Sequence, residues 1–214
     1  AGADGTIRVW HLPAKPTVTA GTPTTVQAAA LSADKTLLAI AATIANKPTI
    51  QIRNASNGQV TATLVGHTGA ITSLGFSPDK TRLISGSADK TARIWTVASP
   101  TAEPVLLEGH TAAVTAGAFA SNPAHVFTGA GDNTVRQWTI ADGKQLRVLS
   151  GHSMAITSLA VAGTVLSSSS GDGTVRLWNT ADGAAIRSVS HGGPASLACI
   201  SADGKHLASV GTGN

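Results

Sequence analysis

Apolar and polar positions along this chain come in short runs with the two-residue alternation of strands, and no stretch sustains a helical period. Residues 66–110 show the arrangement. Ile71-Thr-Ser-Leu-Gly-Phe-Ser77 reads as a strand, stopped by the turn Pro78-Asp79-Lys80. Arg82–Ser87 reads as a second strand and Ala88-Asp89-Lys90 as a tight turn. Thr91–Val97 is the third strand and Val105–Leu107 the fourth. The expected class is therefore all-β, built from four-stranded antiparallel units.

The unit repeats. Gly66-His67, Gly109-His110 and Gly151-His152 recur 42 or 43 positions apart. The run Asp-x-Thr-x-Arg-x-Trp keeps the same beat, ending at Trp10, Trp95, Trp138 and Trp178. A weakened copy, Thr49-Ile-Gln-Ile-Arg53, fills the double interval between Trp10 and Trp95. A four-stranded sheet of this length cannot bury both faces alone, whereas radial stacking of such sheets does.

This Gly-His…Asp…Trp grammar resembles the WD40 repeats of β-propellers, and the resemblance covers the whole chain. It implies about five four-stranded blades, closed by pairing of N- and C-terminal strands or forming an open segment of a larger propeller. Regular blades are expected at about 65–108, 109–150 and 151–190, and a degenerate blade at about 21–64. A closing blade is split between 186–214 and 1–20, within a single unit of residues 1–214. The resemblance also implies a role for the repeated polar residues. Trp N–H donates to a Ser or Thr hydroxyl, the hydroxyl to one His nitrogen, and the other His nitrogen to Asp. By position the sets are His67, Ser85, Asp89, Trp95; His110, Thr128, Asp132, Trp138; and His152, Ser168, Asp172, Trp178. Ser87 is an alternative to Ser85. A fourth set joins the chain ends: His191, Ser209, Asp4 and Trp10, with strand 206–210 pairing to strand 6–10.

The degenerate blade has Thr22, Ile40 and Arg53 at the His, Ser and Trp positions. All members are lost together, as expected if a half-kept buried network is worse than none. Apolar packing by Ile40, Ile50 and Ile52 is expected in its place, together with a longer turn over residues 43–48 that presents Lys47.

The candidate chemistry changes little. A catalytic site is made once, whereas these His, Ser or Thr, Asp and Trp sets occur blade after blade. No His or Cys pair has metal-ligand spacing, and no glycine loop cradles a phosphate, so no catalytic, metal or cofactor residue is assigned. The 214 residues carry a net charge of +4, but Lys and Arg are dispersed and Phe plus Trp make only 3%, which argues against nucleic acid. Arg8, Arg93, Arg136 and Arg176 are expected to snorkel over blade edges. No apolar run is long enough to span a membrane, and residues 1–15 lack the apolar stretch of a signal peptide. The lone Cys199 makes no internal disulfide and leaves the compartment open. The expected function is a soluble, non-catalytic scaffold for protein partners. Its contact positions would be Met154, Lys47 and Arg53, with self-association through shared strands. The alternatives are a purely architectural or excised fragment, or part of an enzyme whose catalytic domain lies elsewhere.

Overall fold

The computed structural model describes residues 7–9, 17–19 and 25–212. Among these residues twenty strands follow in chain order. The first hairpin is β1 (Ile7–Val9) with β2 (Thr17–Thr19). Next comes the sheet β3 (Val26–Leu31), β4 (Leu37–Ile44), β5 (Lys47–Asn54), β6 (Val60–Val65). A second sheet is β7 (Ile71–Phe76), β8 (Arg82–Ser87), β9 (Ala92–Thr96), β10 (Val105–Leu107). A third is β11 (Val114–Phe119), β12 (His125–Ala130), β13 (Val135–Thr139), β14 (Gln145–Leu149). A fourth is β15 (Ile156–Ala162), β16 (Val165–Ser170), β17 (Thr174–Asn179), β18 (Ala185–Ser190). The last pair is β19 (Ala195–Ile200) with β20 (Leu207–Gly211).

Each four-stranded sheet is an antiparallel meander in sequence order. Its first strand lies innermost, and β3, β7, β11, β15 and β19 stand side by side in succession. This is the radial stacking of a β-propeller. Among the described residues no helix is long and apolar enough to cross a membrane.

Turn chemistry sets the meander. The residue after each repeated Asp has positive φ: Lys90 at 70°, Asn133 at 67° and Gly173 at 79°. The carboxylate stabilises the turn from outside the ladder. Asp89 Oδ1 accepts from Thr91 N at 3.0 Å and from Thr91 Oγ1 at 2.7 Å.

The blades are joined by apolar packing and a row of hydrogen bonds. Trp138 packs with Ile84, Ile94 and Leu107 of the preceding sheet, and Trp178 with Phe127, Val135 and Leu149. Near the axis, Thr72 Oγ1 donates to Val114 O, Thr115 Oγ1 to Ile156 O at 2.5 Å, and Thr157 Oγ1 to Ala195 O at 2.7 Å. In the degenerate blade Gln27 takes the threonine position and instead accepts from Ile71 N at 3.3 Å. The inner strands approach closely enough that a Cβ on Gly129 would sit 2.5 Å from Ile156 Cγ2 and 3.0 Å from its Cβ. Gly129→Ala is therefore expected to cost about 1–3 kcal/mol by overpacking, read as a shift in urea midpoint with unchanged slope.

Two buried polar features depend on these junctions. Ser167, Ser168, Ser169 and Ser170 are all fully buried. Ser169 Oγ meets Ser158 Oγ at 2.7 Å, and Ser158 Oγ accepts from Ala198 N of the next blade at 2.9 Å. Gln137, also fully buried, donates to Thr180 O at 3.1 Å and accepts from Arg147 Nη1 at 2.7 Å.

Several expectations are corrected. Residues 43–48 do not form a long turn. Thr43 pairs with Pro48 and Ile44 with Lys47, so β4 and β5 run on to a two-residue turn, Ala45-Asn46, with φ of 49° and 62°. Two successive positive φ values match the strand twist, which is why the ladder continues. Ile50 and Ile52 do not take over the relay's place. They lie opposite the Ile40 face and pack with Leu83 and Trp95 of the next sheet. Residues 186–190 lie in β18, so they belong to the fourth sheet rather than to the split blade. Among the described strands β20 pairs only with β19, and β1 only with β2. The pairing of 206–210 with 6–10 is thus not made between them.

Candidate functional site

The repeated polar residues converge where the loop entering each blade meets its β8-type strand and the turn that follows. In the second sheet Trp95 Nε1 donates to Ser85 Oγ at 2.8 Å, Ser85 Oγ lies 2.8 Å from His67 Nε2, and His67 Nδ1 lies 2.8 Å from Asp89 Oδ2. The third sheet gives 2.7, 2.8 and 2.8 Å for Trp138–Thr128, Thr128–His110 and His110–Asp132. The fourth gives 2.8, 2.8 and 2.9 Å for Trp178–Ser168, Ser168–His152 and His152–Asp172. Ser87 stands elsewhere, its hydroxyl donating to Gly69 O at 3.0 Å.

Register explains the convergence. Ser85 and Leu83 lie opposite Arg93 and Trp95 across the β8–β9 ladder, so Ser85 and Trp95 share a face, offset by one pleat. The loop before β7 then lays His67 over them. The Asp-x-Thr spacing completes the set, because Thr91, Thr134 and Thr174 each donate from Oγ1 to their aspartate at 2.7 Å. The backbone N–H of Thr68, Thr111 and Ser153 donates to the other carboxylate oxygen at 3.0–3.1 Å. These donors were visible in the motif as a threonine two places after each Asp, but their purpose was not.

Electrostatics follow from burial. Desolvation lowers the pKa of His67, His110 and His152, and the adjacent aspartates oppose it only partly. Desolvation would raise the pKa of Asp89, Asp132 and Asp172, but the threonine, histidine and backbone donors outweigh it and hold the carboxyls below the usual range. Each set is thus a neutral imidazole beside an ionised carboxylate, with Nδ1–H donating to Asp and Nε2 accepting from the hydroxyl.

The glycine of each Gly-His pair has its own cause. Gly109 and Gly151 have φ of 150°, and a Cβ there would sit 2.8 Å from Arg136 Nη1 and 2.7 Å from Arg176 Nη1. The arginine two before each Trp folds over this glycine. Its Nε is buried without a hydrogen-bond partner in Arg93, Arg136 and Arg176.

The remaining positions differ. His191 faces Ser209 Oγ through Nδ1, at 3.0 Å; Asp4, Trp10 and Thr22 lie outside the described residues. Ile40 is half-buried. Arg53 donates to Gln51 Oε1 at 2.6 Å and to Gly58 O at 3.2 Å, so its guanidinium is engaged within the blade. Lys47 is exposed beside the hairpin tip, and Met154 is 54% exposed. Among the described residues no three His, Cys, Asp or Glu side chains cluster as a metal centre requires.

Residues 58–96, 103–139 and 143–179 match the family model described as WD domain, G-beta repeat. Each matched unit combines the outer strand of one sheet with the three inner strands of the next: β6 to β9, β10 to β13 and β14 to β17. Over 60 residues, 27% of the chain, the sequence is 43% identical to a Periodic tryptophan protein 2 homolog of Neurospora crassa. Over 71 residues, 33% of the chain, it is 42% identical to an uncharacterized WD repeat-containing protein of Synechocystis. The matched stretches span 7% and 19% of those two proteins' lengths. With three repeats matched in tandem and the same relay geometry in each matched blade, the chain belongs to the WD40-repeat family of β-propellers, a family of protein-interaction scaffolds.

Proposed function

We propose that this chain is a non-catalytic scaffold for protein partners, and that its His, Ser or Thr, Asp and Trp sets hold the blades together. One observation carries this reading: both ring nitrogens of His67, His110 and His152 are engaged, in the same way, in three successive blades. A general acid or base needs a ring nitrogen free to face substrate. Exposed Met154 and Lys47 are the proposed contact positions on the loop-lined face; Arg53, bonded within its blade, adds less. Nucleic acid is not the expected partner, because Arg93, Arg136 and Arg176 fold over glycines instead of forming an exposed basic ring.

Asp132→Asn separates structure from chemistry. It should lower the melting temperature while partner binding measured below that temperature persists. Loss of a turnover activity at unchanged melting temperature would overturn the reading.

The split blade belongs to the same proposal. Leu197 and Val210, on one face of β19–β20, are 54% and 64% exposed, whereas in the earlier blades the following sheet covers that face. A second copy that shares strands, contributing its residues 1–20 at the edge of β20, is the proposed complement of β19–β20.

A further inference from the structure

A cleft of about 310 Å³ opens between the second and third sheets, on the side opposite the relay turns. The β7–β8 turn and the β11–β12 turn form its walls. Phe119, Pro78, Pro123 and Ile140 supply its apolar surface, and Asp79 and Arg82 its charges. Its volume lies at the small end of the range for ligand sites.

The neighbouring cleft shows what this one lacks. Between the first and second sheets, the equivalent carboxylate is Asp34, which accepts from Ser32 Oγ at 2.7 Å, Thr36 N at 3.1 Å and Thr36 Oγ1 at 2.8 Å. Lys80 reaches across from the next blade and pairs with it. Asp79 is held in the same way, by Ser77 Oγ at 2.5 Å, Thr81 N at 3.1 Å and Thr81 Oγ1 at 2.9 Å. These donors keep its carboxyl below the usual pKa range. The position matching Lys80 in the following blade is Pro123, since Phe76 pairs with Leu83 as Phe119 pairs with Val126. Among the described residues no cation therefore crosses to Asp79, and the cleft between the turns stays open.

We propose that this cleft binds a peptide segment carrying a lysine next to an apolar side chain. The apolar group seats on Phe119, Pro78 and Pro123, and the ammonium reaches Asp79 as Lys80 reaches Asp34. Arg82, which makes no side-chain hydrogen bond or ion pair among the described residues, donates to the peptide's carbonyls. The proposal rests on the scaffold reading and gives it a second surface with a defined partner chemistry.

The test is an amide-shift titration of the isotope-labelled chain with acetyl-Gly-Leu-Lys-Gly-amide at millimolar concentrations. Shifts are expected at Thr81, Phe119 and Ile140. They should weaken at least tenfold with the Lys→Glu or Leu→Gly peptide. Pro123→Lys supplies the missing cation in cis and should weaken binding at least tenfold while Asp79 and its turn stay intact; Asp79→Asn should do the same. Melting temperatures read alongside separate lost binding from lost fold. Binding unchanged in both variants overturns the proposal, as does the absence of shifts in the cleft. Shifts around Met154 instead would overturn the cleft and leave the scaffold reading standing. The scaffold reading falls separately, on turnover lost at unchanged melting temperature in Asp132→Asn.

Discussion

Trp138→Ala is expected to lower stability by about 3–5 kcal/mol. The indole is 1% exposed and sits in one cluster with Ile84, Ala92, Ile94 and Leu107 of the preceding sheet. Its removal empties the junction between two blades and takes a donor from Thr128, 2.7 Å away. Neighbouring sheets relax little around such a gap, because each contacts only the blades on either side. Arg53→Ala, at the matching position of the degenerate blade, should cost no more than about 1 kcal/mol. It loses hydrogen bonds to Gln51 and Gly58 from a half-buried site and opens no sealed cavity. Denaturant midpoints of the two variants check the contrast. Equal shifts would mean that the degenerate blade still depends on its third strand as the regular blades do.

The second large effect is acid lability. His67, His110 and His152 have folded pKa values below the unfolded value of 6.5, chiefly through desolvation. With the folded pKa depressed, the unfolded chain binds more protons in the window below 6.5. The contribution of these rings is complete above that pH and is lost as pH falls toward the folded pKa. Each ring can contribute a slope of about 1.4 kcal/mol per pH unit, and three together about 4 kcal/mol per unit. The aspartates act lower. Their folded pKa values are depressed below 3.8, so their stabilisation is present above 3.8 and lost only under stronger acid. Urea midpoints measured from pH 8 to pH 4 should stay level at first and fall steeply below about pH 6.5. A flat profile down to pH 5 would show that the rings are not buried as neutral imidazoles. His110→Gln should reduce the slope by about a third if the three rings titrate independently.

The repeat, the strand order within each blade and the membership of the three relays were legible in the sequence. Those residues recur at fixed offsets, and one antiparallel register maps each offset to a face. The Asp-x-Thr spacing was legible as a motif, although the threonine's bond to the carboxylate was not. The two-residue turn at Ala45-Asn46 was misread because no glycine marks it; the ladder's twist imposes positive φ on Ala45 and Asn46 without one. Ile50 and Ile52 were misplaced for another reason. Side chains alternate faces along a strand, so residues one and three before Arg53 face the blade opposite to the one Arg53 faces.

What only the tertiary structure decided lies between blades. The burial of Ser167 to Ser170, the Gln137–Thr180 bond and the cleft at Asp79 all bring together residues from different strands or loops. The two sides of most such contacts lie a repeat or so apart. Which side chains meet there depends on the angle and offset between two twisted sheets. Those are set by the summed packing of Trp138, Ile156 and their neighbours, and the pattern of any single strand does not encode them.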